Sequence, residues 1–239
     1  RDSIAANKPY DQFVSEILTA SGSQNENPPT IWYRSVRTQT DYVESVAQAF
    51  LGVRIQCAQC HHHPFERWTQ TNYYQLSAFF SSVGRKAGTS AGEEIIYSLR
   101  TPQPVVHVGT GQEVTASFPF THAGYDSEKS KSLSNLRNQL AEWLTAKENP
   151  YFATSLVNRY WSYFTNRGII DPVDDIRSSN PPSNAELLNA LTNDFAEHGF
   201  DLRHLIRNIV TSHTYQRSFR TNRWNDDDLI NHSHAHPRR

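Results

Sequence analysis

The segment that decides the fold is residues 50–70, which read FLGVRIQCAQCHHHPFERWTQ. The residues before it carry apolar side chains at helical spacing, and Asp41 with Glu44 predicts a capping box at the start of that helix. Gly52 predicts where this helix ends. A second helical pattern runs from about Asn72 to Val83. The cysteine segment is therefore predicted to be held between two helices.

The rest of the chain is also mainly helical in its periodicity. The further predicted helices lie between Pro9 and Gly22, from Leu133 through Leu144 and on through Phe164 to Gly168, from a capping box of Ser183 and Glu186 to Gly199, and from Asp201 to Val210. Residues 84–131 are instead rich in Gly, Ser, Thr and Pro, and residues 105–118 predict an extended chain interrupted at 109–111. The expected organisation is a helical region at 1–83, a loop or β-hairpin insertion at 84–131 and a second helical region at 132–239.

The composition excludes several classes of function. The chain has 239 residues, 37% of them hydrophobic, so it can bury a substantial core in one large domain or two smaller ones. A net charge of −1 and a pI of about 6.9 give no basic field for nucleic acid or an anionic bilayer. No run approaches the roughly 18 to 20 apolar residues of a membrane span. The first residues lack the pattern of a signal peptide, so we expect a processed piece whose export signal, where one existed, is gone.

Both cysteines of the chain lie in one motif at residues 57–61, CAQCH. The C-x-x-C-H spacing is that of c-type haem attachment: two thiols add to the vinyl groups on one edge of the porphyrin, and the adjacent imidazole then reaches the iron. We therefore predict haem c bound by Cys57 and Cys60, with His61 as an iron ligand. Three alternatives stay open: a redox dithiol, a zinc site that adds His61 or His63 to the two thiols, and a pair of thiols without a function.

The second axial ligand of the iron is constrained because the chain contains no Met. His/Met ligation from within the chain is therefore excluded, which leaves a second imidazole, another nitrogen, a neighbouring chain or an open position. His62 and His63 are too close to His61 to reach the opposite face. The preferred donors are, in order, His107 or His122 in the insertion, His213 or His204 near the last helix, and a tail histidine such as His234 of this or a neighbouring chain. Bis-His ligation predicts a low-spin iron of low potential.

Other charged groups indicate weaker candidate sites. Asp171, Asp174 and Asp175 offer the oxygen ligands that Ca²⁺ requires, but their spacing lacks the Gly and the distal Glu of an EF-hand, so a turn that caps the next helix is favoured. Arg159 and Arg177 carry the forked guanidinium that binds haem propionates, although exposed arginines are common on any surface. No nucleophile elbow, phosphate-binding loop or paired-carboxylate signature is present. Catalysis would therefore depend on the haem alone.

Longer stretches around the motif match a known pattern. The segments concerned are 50–53, 61–70, 73–74 and 78–80, and downstream 149–153, 156–159, 168–169, 172–177, 180–184, 198–202, 231–235 and 238–239. They resemble the large planctomycete cytochrome-type domain proteins, in which a domain that contains C-x-x-C-H is followed by a companion domain of unknown function. The resemblance implies an exported, haem-c-type protein. Family members are typically longer at both ends and usually have Asp or Asn where this chain has His62.

Together these observations predict a mainly α, irregular helical fold around one c-type haem, with a small loop or β-hairpin insertion. The predicted function is that of a monohaem c-type cytochrome-like electron carrier, periplasmic or extracellular at the cell surface. Its expected partner is a redox protein or neighbouring copies of itself. One alternative is a peroxidase-like haem oxidoreductase with an open distal position. The other is a structural or assembly module in which haem or metal bridges subunits, as His62, His63 and the His-rich tail would allow.

Overall fold

The computed structural model describes residues 1–64, 66–123 and 135–235. About 43% of the chain is helical and the strands are few and short, which confirms a mainly α protein with small sheets. In these described ranges no helix is both long enough and apolar enough to cross a membrane. The predicted helix start at Leu133, the end of the insertion at 124–131 and the last tail residues, 236–239, lie outside them.

Most elements are short, and turns of irregular helix join them. The α-helices are α1 (Asp2–Ala5), α2 (Tyr10–Thr19), α3 (Ile31–Ser35), α4 (Gln39–Val46), α5 (Gln70–Ser77), α6 (Leu136–Thr145), α7 (Phe152–Thr165), α8 (Ala185–Glu197) and α9 (Leu202–Thr211). The strands are β1 (Gly22–Ser23), β2 (Val83–Ala87), β3 (Glu94–Ser98), β4 (Val105–Val106) and β5 (Glu113–Val114). Further turns are 3₁₀-helical at Pro28–Thr30, Gln56–Gln59 and Ala78–Phe80 and π-helical at Ala47–Leu51.

The chain divides into two compact units, and neither is continuous in sequence. The motif unit comprises Asp11–Gln48 and Arg54–Asn149. The companion unit comprises Arg1–Tyr10, Ala49–Val53 and Pro150–Arg239. The C-x-x-C-H segment belongs to the first of these, and the helices α7, α8 and α9 belong to the second.

Capping boxes begin both helices that flank the motif. In α4 the Thr38 side chain accepts from the Asp41 amide, and the Thr38 amide donates to the Asp41 carboxylate, each at 3.0 Å. The predicted box of Asp41 with Glu44 is therefore displaced by one turn, because Thr38 has the extended backbone that an N-cap needs. In α5 the same arrangement joins Thr69 and Asn72. This motif-side helix begins at Gln70, two residues before the predicted start.

The helix predicted to reach Val83 is shorter in the structure, because a strand begins there. After α5 the chain makes the 3₁₀ turn Ala78–Phe80 and then enters β2. A three-stranded antiparallel sheet has the order β1-β3-β2, with Val83 paired to Ser98 and Gly22 to Ile96. The β structure is therefore not confined to residues 84–131, since β1 joins the sheet from a distant part of the sequence. Helical periodicity in the local sequence was outweighed by this pairing.

The predicted hairpin of the insertion is present as β4 and β5, which pair antiparallel. Its turn surrounds Gly109-Thr110-Gly111, the position where the sequence interrupts the extended pattern. The Gly111 amide donates to the His107 carbonyl at 2.8 Å, and Gly111 has a φ of +69°, a conformation that glycine adopts without strain. The hairpin is short because only two residues on each side are paired.

The companion unit packs aromatic side chains between α7 and α8. Phe152, Phe195 and Phe200 are buried, and Phe200 meets each of the other two edge-on at 5.5 Å. The predicted capping box of Ser183 with Glu186 is replaced by Asn184, whose side chain accepts from the Leu187 amide at 2.9 Å. Asn184 is the N-cap of α8 because its extended backbone directs the side-chain oxygen toward the Leu187 amide.

Replacing Arg137 by Ala tests a buried polar contact of the motif unit. Its side chain is 1% exposed, Nη1 donates to the Ala20 carbonyl at 2.6 Å, and Nη2 donates to the Ser98 hydroxyl at 3.2 Å. We expect the free energy of unfolding to fall by about 2 to 4 kcal/mol, because a buried carbonyl loses its donor and a cavity forms. Urea unfolding followed by circular dichroism measures this. The exposed Arg100→Ala control should change by less than about 0.5 kcal/mol, and equal losses in both variants would contradict the assignment.

Replacing Asn158 by Asp tests the companion unit in the same way. Asn158 is fully buried on α7, and its amide pairs with both backbone groups of Ile170, donating at 2.8 Å and accepting at 2.9 Å. An aspartate cannot donate to the Ile170 carbonyl and would bury a charge, so we expect a loss of about 3 kcal/mol. The matched control is Asn189→Asp on the exposed side of α8. A parent-like urea midpoint for Asn158→Asp would rule this contact out as a stabilising one.

Candidate functional site

The C-x-x-C-H motif lies on one tight turn of the motif unit. The 3₁₀ turn Gln56–Gln59 ends at Cys60, and the amides of Cys60 and His61 both donate to the Cys57 carbonyl at 3.3 Å. Ala58 is fully buried, whereas Cys57 and Cys60 are exposed and free. The turn therefore directs its small residue into the core and presents both thiols to solvent.

The turn is fixed from behind by two side chains of α5. The backbone carbonyl of Gln59, between the two cysteines, accepts a hydrogen bond from the Tyr74 hydroxyl at 3.0 Å. It accepts another from the side-chain amide nitrogen of Gln70, Nε2, at 2.9 Å. Both donors are buried. Neither side chain was identified from the sequence as a support of this turn. The available signal was the Thr69-x-x-Asn72 capping box, which makes Gln70 the first residue of the helix.

His61 has one ring nitrogen engaged and is exposed to solvent. Its Nδ1 lies 2.7 Å from the carbonyl oxygen of His62. A carbonyl can only accept, so Nδ1 carries the proton in this contact and Nε2 keeps its lone pair. Metal-binding histidines commonly donate their second ring N–H to a carbonyl, which fixes the ring and strengthens the ligand. The orientation of His61 is therefore that of an imidazole prepared to bind a metal through Nε2.

His62 and His63 hold the loop that follows the motif. The Nδ1 of His62 accepts a hydrogen bond from the backbone N–H of Gln70 at 3.2 Å. This N–H is one of those at the start of α5 that have no partner within the helix. The amide of His63 donates to the Trp68 carbonyl at 2.9 Å, and Trp68 itself is buried. The structural role of His62 was not apparent from the sequence, which shows only three consecutive histidines.

Tyr74 connects the motif to the hairpin of the insertion. Burial, and next to it the charge of Cys60, raises the pKa of Tyr74, so the hydroxyl stays protonated and can donate to the Gln59 carbonyl. The Tyr74 and His107 rings lie 5.3 Å apart. The structure thus brings His107, a predicted axial donor, to the side chain that supports the motif.

The nitrogens of His107 are both engaged in this conformation. Nδ1 accepts from the amides of Gly109 at 3.1 Å and Thr110 at 3.3 Å, and Nε2 lies 3.3 Å from the Thr71 hydroxyl. The ring is 6% exposed. Because Nδ1 accepts these bonds, the proton of the neutral ring is on Nε2. Before Nε2 could bind iron, it would have to lose the contact with Thr71 and the proton would have to move to Nδ1.

The second donor predicted in the insertion, His122, lies against an aromatic cluster of the motif unit. Its Nε2 lies 3.0 Å from the Trp143 carbonyl, and its ring is 6.0 Å from that of Trp143. Phe118 and Phe120 stack on or tilt against the same indole at 4.9 Å. The Nε2 proton of His122 is thus committed to a carbonyl.

The remaining predicted donors belong to the companion unit. His204 is bonded to Asp194 on the neighbouring helix at 2.8 Å, and His213 is exposed after α9. His234 is 9% exposed and lines a cavity of about 490 Å³. His232 lines the same cavity and accepts from the indole N–H of Trp161 at 3.3 Å. These two tail histidines are packed into the fold.

The alternative metal sites can be compared with the same geometry. The described ranges contain one group of three or more His, Cys, Asp or Glu residues whose ligand atoms lie within 4.8 Å of one another, and it is Asp194, His198 and His204. The two cysteines do not converge with His61 or His63 in such a group, as a preformed zinc site would require. The carboxylates of the predicted calcium site at 171–175 do not converge either.

The charged residues of that segment are paired locally. Asp175 lies 3.2 Å from the Arg177 guanidinium, and Asp171 lies 3.9 Å from that of Arg167. Arg177, predicted as a propionate ligand, thus has a carboxylate beside it. Arg159, the second such residue, lies on α7 of the companion unit.

The residues of the motif fit a c-type haem. Thioether formation needs two accessible thiols on one turn, which Cys57 and Cys60 provide. Axial ligation needs an imidazole with a free Nε2 and an oriented ring, which His61 provides. The ligands of a zinc ion must all lie within bonding distance of one point. The two thiols and the His61 imidazole do not have to, because the thiols would bond to the edge of the porphyrin and the imidazole to the iron at its centre. The lack of a common metal-binding point among these groups is therefore compatible with haem attachment.

Comparison with known proteins gives two family matches and no named relative. Neither the curated proteins nor the solved structures contain a significant match to this chain. Residues 1–85 match the family PSCyt2, described as a protein of unknown function (DUF1549), and residues 136–239 match PSD1, described as a protein of unknown function (DUF1553). Over these two segments the chain is similar to domain families that are associated with planctomycetes.

Proposed function

We propose that this chain is a monohaem c-type cytochrome-like protein that transfers electrons outside the cytoplasm. The observation that carries the proposal is the geometry of the motif: two exposed thiols on one rigid turn, followed by a histidine whose Nδ1 lies 2.7 Å from a carbonyl. The resemblance of the surrounding sequence to cytochrome-type domain proteins supports the same function.

Each residue of the motif has one role in this proposal. The sulfurs of Cys57 and Cys60 would hold the haem through thioether bonds, and Nε2 of His61 would bind its iron. The haem, when bound, supplies a one-electron Fe(III)/Fe(II) couple. The hydrogen bond from His61 Nδ1 to the His62 carbonyl makes the imidazole a stronger donor and holds its plane. Gln70 and Tyr74 keep the turn in place through the Gln59 carbonyl.

The proposed location and partners follow from the same chemistry. Covalent haem attachment uses both thiols of the chain, and no cysteine is left over for another purpose. A periplasmic or cell-surface location suits such a protein. The electron donor or acceptor would be a redox protein or a neighbouring copy of the chain. The net charge of −1 indicates no nucleic-acid or anionic-membrane partner.

The attachment is tested by expressing the chain with a c-type haem maturation system. We expect the haem to survive acid–acetone extraction in the parent, because the thioether bonds are covalent. Cys57→Ser and Cys60→Ser should each keep at most one thioether, and the double variant should lose all covalent haem. Denaturing gels stained for haem and mass spectrometry measure this.

The matched control is Gln56→Ser, an exposed neighbour of Cys57, which should keep both bonds. A parent chain that carries no porphyrin would overturn the proposal. A Cys57–Cys60 disulfide, or one zinc ion lost with the cysteines, would then support the redox dithiol or the zinc site.

The second axial ligand distinguishes electron transfer from catalysis. A peroxidase-like function is favoured by one observation: His107 and His122 both have Nε2 engaged, at 3.3 Å to Thr71 and 3.0 Å to the Trp143 carbonyl. Electron transfer through a bis-His iron would instead require one of these rings to leave its partner and bind the iron, or another of the predicted histidines to do so. The chain contains no Met. We therefore propose His107 or His122, the two candidate imidazoles of the motif unit, as the second strong-field ligand of the iron.

We expect a low-spin ferric spectrum in the parent that becomes high-spin in His107→Ala or in His122→Ala. Near-infrared magnetic circular dichroism identifies the bis-His state. The control Gln103→Ala removes an exposed side chain of the insertion and should leave the band unchanged. A bis-His band that survives both substitutions eliminates both donors. A high-spin, peroxide-reactive parent would contradict the electron-transfer proposal and favour the peroxidase-like one.

A further inference from the structure

A second constellation of metal-binding side chains lies in the companion unit, at the junction of α8 and α9. It consists of Asp194, His198 and His204, here named the Asp194 cluster. Their ligand atoms all lie within 4.8 Å of one another, although the residues span two helices. We propose that the Asp194 cluster binds one divalent transition-metal ion of the zinc type, independently of the C-x-x-C-H motif.

The helices build the cluster from matching i, i+4 pairs. Asp194 and His198 are one turn apart at the C-terminal end of α8, and His204 and Asn208 are one turn apart in the first turns of α9. Side chains at this spacing lie on the same face of a helix. The residues between the helices are few, and Gly199 with a φ of +63° permits the tight turn.

The distances are close to those that a shared ion requires. Asp194 Oδ2 lies 2.8 Å from His204 Nε2, and Asp194 Oδ1 lies 3.2 Å from His198 Nδ1. The same Nδ1 lies 2.8 Å from the Asp194 backbone carbonyl, so His198 would give up that contact to bind through Nδ1, or turn its ring to bind through Nε2. Donors about 2.0 to 2.2 Å from a tetrahedral zinc ion are about 3.3 Å apart. The Asp194–His204 contact would therefore open by about half an ångström on binding, which a rotation of either side chain can supply.

The backbone around His204 fixes the position of its ring. Asp201 is the N-cap of α9, and its carboxylate accepts from the His204 amide at 2.9 Å. The same carboxylate oxygen accepts from the Asn7 side chain at 2.8 Å. These hydrogen bonds lower the pKa of Asp201, so the cap persists over a wide pH range. A fixed first turn reduces the conformational entropy that metal binding would otherwise cost.

The two histidine rings of the cluster lie side by side. The His198 and His204 rings stack at 3.9 Å with an interplanar angle of 19°. A divalent ion binds the neutral rings and places its charge beside the carboxylate. Two nitrogens and one carboxylate form a donor set that suits zinc and its neighbours, whereas Ca²⁺ prefers six to eight oxygens.

The site is accessible and keeps a coordination position open. The side chains of His198, Asp194 and His204 are 50%, 33% and 27% exposed, so an ion can enter from solvent. Three protein ligands leave the fourth position of a tetrahedral ion for water, as in catalytic zinc centres. Asn208 lies beside that position, with its amide nitrogen 2.7 Å from Asp194 Oδ2 and 3.0 Å from His204 Nε2. It would position the carboxylate or a bound water.

The test uses the full chain without an affinity tag, stripped with EDTA and titrated with Zn²⁺ in equilibrium dialysis and calorimetry. The Cys57→Ser/Cys60→Ser variant separates this site from the motif, and we expect it to bind one zinc ion as the parent does at this site. His204→Ala should lower the affinity at least about 100-fold, since one of three ligands is removed. In the same background His198→Ala, at a half-exposed position, should do likewise.

Co²⁺ provides a second readout that does not depend on affinity. In the double-serine background it should give visible ligand-field bands without the near-ultraviolet thiolate charge-transfer band, and His204→Ala should abolish them. The control His213→Ala should keep the zinc affinity and the cobalt bands. Zinc binding that is equal in the background, His204→Ala and His198→Ala chains would overturn the proposal, as would zinc binding that disappears with the cysteines alone. Melting curves without metal confirm that each variant is folded.

Discussion

The carbonyl of Gln59 is the constraint on which the motif depends. It receives two hydrogen bonds from buried side chains of α5, one from Gln70 and one from Tyr74. Gln59 is half-buried, and the loss of both bonds would cost about 1 to 3 kcal/mol, so they hold the turn in place even though its two thiols are exposed. The flanking helix therefore supports the motif through side chains that point at its backbone. Exposure and rigidity are combined because the anchor lies on the buried side of the turn.

Hydrogen bonds from a helix side chain to the backbone of an irregular segment occur in both compact units. Asn158 pairs with both backbone groups of Ile170, and Arg137 donates to the carbonyl of Ala20. In each case a polar side chain on a helix replaces the partner that a sheet or helix would provide, which satisfies backbone groups that would otherwise be buried without one. Such contacts stabilise the irregular segments between the helices.

The sequence predicted α9 closely, since the predicted range was Asp201 to Val210 and the helix is Leu202–Thr211. It was less accurate upstream, because the pattern predicted to run from Leu133 to Gly168 is divided into α6 and α7. The strand β2 began inside a segment with helical periodicity because its partner β3 pairs with it residue by residue. Cap positions were displaced by one turn or less, since several polar residues near each end could serve and the backbone conformation selects one. Thr38 and Asn184 are the residues selected in α4 and α8.

The sequence by itself determined which chemistry the motif can support. The spacing of Cys57, Cys60 and His61 limits which cofactors the thiols can hold, and the absence of Met limits which side chains could bind the iron of the proposed haem. Only the tertiary structure decided which histidines have a nitrogen to offer. The ring of His107 is engaged by a hairpin turn and by α5, and His204 meets a carboxylate of another helix. A histidine's availability depends on partners supplied by other elements, and these the local sequence does not specify.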